Sequence, residues 1–90
     1  MNSTLYIDLP GHVHAIANLS SAFGPERAIE LWKEACLLSG VEDDSTNPDD
    51  LNLVYRYLAD QDGIVGVFGS SLLLRLKAYK KLLNYKTDTP

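Results

Sequence analysis

The sequence predicts a mainly α fold, a compact bundle of four helices, and three observations predict it. Apolar residues recur three and four positions apart through most of the chain, the period of a helix with one buried face. Proline and glycine punctuate those stretches where helices should begin and end. The composition, 46% hydrophobic and 22% charged, is that of an ordinary globular chain and argues against wholesale disorder. A short two-stranded β element, pairing Thr4 to Leu9 with Ile64 to Phe68, is an addition that the pattern leaves open.

Leu5, Ile7 and Leu9 alternate with Tyr6 and Asp8, so the first segment reads as a short strand or an extended arm, ended by Pro10-Gly11. From about His12 to Phe23, Ile16, Leu19 and Phe23 recur at helical spacing, with Val13 and Ala15 nearby. Gly24 supplies a stop, and Pro25 suits the first position of the next helix. Pro25 to Ser39 is the clearest helix. Ala28, Leu31, Trp32, Ala35 and Cys36 fall on one face, flanked by Ile29 and Leu38, with Glu26, Glu30, Lys33 and Glu34 opposite. Gly40 ends it, and an acidic loop follows. Asn47 then caps a third helix, Pro48 fills its first turn, and Asp49 and Asp50 complement its dipole. Leu51, Val54, Tyr55 and Leu58 form its buried stripe, and Asp62-Gly63 closes it.

Ile64 to Phe68 is ambiguous. Val65 and Val67 are β-branched, and the run is bounded by Gly63 and Gly69, which suits a short buried strand. In a helix, Gly63, Gly66 and Gly69 would share one side and let another backbone approach closely. Each glycine costs a helix about 1 kcal/mol relative to alanine, so a loop or short extended piece is expected. Ser70 or Ser71 then caps the final helix, which runs to about Tyr85 with Leu72, Leu76, Tyr79 and Leu83 as its stripe. Leu73 and Leu74 add apolar surface elsewhere, so the first turn of that helix is expected to be buried nearly all round. Residues 1–90 read as one small domain, with 86–90 a frayed tail.

Charge is unevenly spread. Residues 1–74 hold three basic and eleven acidic side chains, and residues 75–90 hold five basic and one acidic, giving a net charge of −4. Such separation favours oriented contact with a partner, or head-to-tail contact with another copy. Cys36 is the single cysteine, which excludes an internal disulfide and fits a reducing compartment. The first residues lack the basic start of a signal peptide, and no apolar run approaches the length of about 18 residues needed for a membrane span. A cytoplasmic protein is expected.

Chemical signatures are sparse. His12 and His14 stand two apart, so on a helix they diverge by about 200° and cannot share a metal ion. Asp60-x-Asp62-Gly63 resembles the middle of a calcium loop, but Leu58 and Gly69 occupy the end positions that need carboxylates. Gly69, Ser70 and Ser71 offer a candidate anion site if they form a turn that opens the last helix, where free N–H groups and the dipole favour negative charge. Neither nucleotide-loop spacing is present. Cys36 falls on an apolar stripe, and no serine sits in a nucleophile elbow, so no enzyme and no cofactor is expected.

The functional expectation is a non-catalytic protein-interaction or oligomerisation module, a small regulatory or adaptor protein that pairs with a protein partner or with itself as a homodimer. Its expected contact residues are Leu37 and Leu53, which project onto polar faces, the acidic Glu30 and Glu34, and the cationic Arg75, Lys77, Lys80 and Lys81. The alternative is a nucleic-acid-binding helical domain using the basic C-terminal helix. An acidic pI near 4.9 disfavours it. The two readings differ in whether Lys77, Lys80 and Lys81 form a patch uninterrupted by acidic neighbours.

Overall fold

The computed structural model describes residues 11–88, with side chains through residue 82. Four helices follow one another: α1 (His12–Phe23), α2 (Pro25–Ser39), α3 (Pro48–Ala59) and α4 (Ile64–Asp88). No strand occurs among the described residues. α1 packs mainly on α2 and α3 mainly on α4, so the architecture is two packed helix pairs joined through α2 with α3 and α1 with α4.

Local chemistry sets both ends of α1 and α2 and the start of α3 where the sequence places them, whereas α3 ends at Ala59, short of the expected Asp62-Gly63. Gly24 alone separates α1 from α2, with its N–H donating to the Ser20 carbonyl at 2.9 Å. Gly40 follows α2 in a left-handed conformation (φ 71°), which a side chain would strain. Val41 N–H then reaches back to the Cys36 carbonyl at 2.9 Å, closing a Schellman turn, and its side chain packs on the core. At α3, the Asn47 side chain accepts from Asp49 N–H at 2.8 Å. Ser45 Oγ accepts from Asn47 N–H at 3.1 Å and donates to Asp50 Oδ2 at 2.8 Å, tying the loop to the first turn.

The core draws on every helix: Ala15 from α1, Trp32, Ala35 and Cys36 from α2, the whole predicted stripe of α3, and Leu72 and Leu76 from α4. Trp32 and Tyr55 meet with ring centroids 6.0 Å apart and planes inclined by 52°, an ordinary tilted aromatic contact. Trp32 Nε1 donates to the Asp43 carbonyl at 2.9 Å, so the α2–α3 loop is fastened to the core residue beneath it.

The largest departure from expectation is residues 64–68, which are helical. α4 therefore begins at Ile64, not at Ser70 or Ser71, and runs to Asp88. The β pairing is lost with it, and its other half, Thr4 to Leu9, lies outside the described residues. The physical reason is close packing. Gly66 and Gly69 are both buried, and both lie against the end of α3 and the turn that follows it. A Cβ at Gly69 would lie 2.5 Å from the Leu58 carbonyl carbon and 2.7 Å from Leu58 Cβ, and one at Gly66 would strike the Gln61 carbonyl oxygen. Bringing two helix backbones together offsets the poor helix propensity of glycine.

Gly69 faces Leu58 and Ala59, while Lys80 Nζ stands 3.2 Å from Asp49 Oδ1. α4 therefore runs back along α3 from its end to its beginning.

Candidate interaction surface

α4 has two unlike sides. Gly66, Gly69, Leu72 and Leu76 are buried. About 180° around the helix, Ile64, Val67, Leu74, Ala78 and Leu82 are exposed, with Ser71 half-buried among them. Val67 is 67% and Leu74 70% exposed, so this is a true outer face and not a partly covered flank. The expectation that the Leu72–Leu74 turn would be buried nearly all round is corrected: Leu72 is buried, Leu73 is half-buried, and Leu74 points to solvent. α4 packs on α3 and, more lightly, on α1, and these two neighbours cover only one side of it.

Cations flank this face toward its C-terminal end. Leu74, Lys77, Ala78, Lys80 and Lys81 line an open groove of about 540 Å³. Arg75 is exposed on the neighbouring side. Lys80 differs from the others, since it is only 33% exposed and pairs with Asp49. An acidic neighbour therefore interrupts the run of lysines. At the other end of the helix, exposed Asp60 and Asp62 precede the first turn. The long axis of α4 thus carries acid at its start and base toward its end.

The remaining expected contact residues do not join this groove. Leu37 is 79% exposed and lines a separate depression with Lys33, Glu42 and Asp43. Leu53 is 52% exposed on α3. Glu30 pairs with Arg27 at 3.1 Å within α2. Glu34 lines a smaller cleft of about 240 Å³ with Arg27, Tyr57 and Asp62. Gly69, Ser70 and Ser71 lie inside α4, five or more residues past its first, so their N–H groups are not the free donors of a helix N-terminus. The geometry on which an anion site there depends is absent, and Gly69 is filled against α3.

Among the described residues, no three His, Cys, Asp or Glu side chains gather as metal ligands, and no helix is long and apolar enough to cross a membrane. Cys36 is buried. Burial, then the nearby Asp43 charge, pushes its thiol from 9.0 up to about 11. Burial, then Cys36, also raises the Tyr55 phenol. At pH 8 the thiolate fraction of Cys36 should be about 100-fold below that of a free thiol, and its reaction with a thiol reagent correspondingly slow.

The same shift has a stability consequence. Below pH 9 both folded and unfolded chains keep the Cys36 proton and stability is unaffected. Above it the unfolded chain loses the proton first, so stability should fall between about pH 9 and about pH 11. Tyr55 adds to the loss in the same direction. Urea midpoints measured from about pH 8 to about pH 11 should decline, and Cys36→Ala should flatten the lower part of the decline. A level profile for the unmodified chain would contradict the buried placement of Cys36.

The outer face of α4 is only half visible in the sequence. Lys77, Lys80 and Lys81 are among the residues expected there, whereas Ile64, Val67, Leu74, Ala78 and Leu82 are not. The signal that could have found them is their spacing, which stays in phase over five turns once 64–69 is read as helix. No family model, curated protein sequence or solved structure matches this chain, so the functional reading rests on its own surface.

Proposed function

We propose that this chain is a non-catalytic protein-interaction module, a small oligomerisation or adaptor unit that works through the outer face of α4. The observation that carries this reading is the apolar stripe opposite the buried side of α4, exposed over most of the helix. Scattered surface leucines need no explanation, but a stripe in helical register on one element is the pattern by which helices recognise other proteins. The flanking lysines supply a polar rim, and polar rims favour orientation and association rate more than affinity.

The nucleic-acid alternative depends on an uninterrupted cationic patch. The Lys80–Asp49 ion pair breaks that patch, and the acidic balance of the rest of the chain opposes a polyanion.

The test is the mass of the protein in solution by sedimentation equilibrium, from about 5 μM to about 500 μM. A contact limited to one helix face sits at or below the low end of stable interfaces, near about 1,200 Å², so micromolar association is expected. The mass should rise toward a dimer across that range. A monomer at every concentration would overturn the oligomerisation reading.

A further inference from the structure

We propose that the outer face of α4 is covered by α4 of a second copy, running antiparallel about a two-fold axis level with residues 72 and 73. The inference rests on the reading above and specifies its partner.

Size complementarity is the first argument. Between Val67 and Ala78 the outer face alternates in bulk: Val67 is large, Ser71 small, Leu74 large and Ala78 small. An antiparallel pair with that axis sets Val67 against Ala78 of the other copy and Leu74 against Ser71. Each of these central layers then joins one large and one small residue, which is how facing helices interdigitate without voids. A parallel pair would set Leu74 on Leu74 and Ser71 on Ser71, leaving large layers crowded and small layers empty.

Charge gives the same direction independently. Asp60 and Asp62 stand at the start of α4, and Arg75, Lys77 and Lys81 are exposed toward its end. A two-fold interface brings the same patch of both copies together and must be self-complementary. An antiparallel pair meets that requirement by placing the acidic end of one helix beside the basic end of the other. A parallel pair would align Arg75, Lys77 and Lys81 with themselves. The closest approach would fall near Ser71, where a small side chain lets the helices pack.

Cysteine cross-linking distinguishes the arrangements. Val67→Cys and Ala78→Cys are made in separate chains, one lengthened by a tag so that mixed and like pairs differ in mass. Both positions are exposed, and circular dichroism checks that each variant keeps its helicity. Cys36 is buried, and the unmodified chain serves as its control. With a short bifunctional thiol reagent at high protein concentration, the mixture should yield the mixed dimer, and each variant alone should yield none. Like pairs from either variant alone would overturn the antiparallel arrangement, and so would a dimer by mass that cross-links in no combination. In both cases the self-association reading survives. A monomer by mass with no cross-linking overturns that reading and this inference together.

Discussion

Gly69→Ala should destabilise the fold by about 2 kcal/mol, although alanine is the better helix former. On an isolated helix the change would stabilise by about 1 kcal/mol. Here the added Cβ would stand 2.7 Å from Leu58 Cβ and closer still to the backbone of Leu58 and Ala59. The obstacle is helix backbone, which cannot swing aside as a flexible side chain can. α3 and α4 must separate, and the contact that buries Leu58, Leu72 and Leu76 loosens with them. Gly66→Ala should act in the same direction against the Gln61 carbonyl. In dilute solution, where the chain is monomeric, Ala78→Gly on the outer face is the matching control, since it changes helix propensity alone there and should cost about 1 kcal/mol. Urea unfolding of the three variants measures all three effects on one scale. A gain in stability for Gly69→Ala would contradict the close approach of α3 and α4.

Trp32→Ala should have a larger effect, a loss of about 3 to 5 kcal/mol. Trp32 is 2% exposed, touches the Tyr55 ring and is the bulkiest residue of the core. A domain of this size has a total stability of only about 5 to 13 kcal/mol, so a loss that large would leave it marginal. Trp32→Phe separates the two roles of the side chain. It keeps an aromatic body but removes the Nε1 donor to the Asp43 carbonyl, which should cost about 1 kcal/mol. Amide exchange in the 41–47 loop should then speed up more than exchange in α3. Uniform acceleration would mean that the hydrogen bond does not fasten the loop.

Three helices are legible in the sequence because each carries its own instructions. Pro25 and Pro48 open α2 and α3, Gly24 and Gly40 close α1 and α2, and the apolar residues between them keep one phase. The stripe of Leu51, Val54, Tyr55 and Leu58 is buried throughout. α4 is not legible at its start, because local propensity and tertiary contact conflict there. Three glycines within seven residues argue against a helix, and the packing that outweighs them comes from Leu58 and Ala59 on another helix. The same conflict hides the surface. Reading residues 64–69 as extended removes any phase relation between Ile64 or Val67 and Leu74 or Ala78, and it places Leu74 in the core. Exposure of Leu37 and Leu53 can be read directly, since each sits among charged residues of its own helix.

Leu74→Glu tests most directly whether the outer face of α4 is a contact surface distinct from the face that holds the fold. Leu74 is 70% exposed, so in dilute solution the variant should unfold at nearly the same urea concentration as the unmodified chain. Sedimentation equilibrium at high concentration should then give a dimer for the unmodified chain and a monomer for the variant. A variant that associates as strongly as the unmodified chain would contradict the account, because the contact would then lie on another surface.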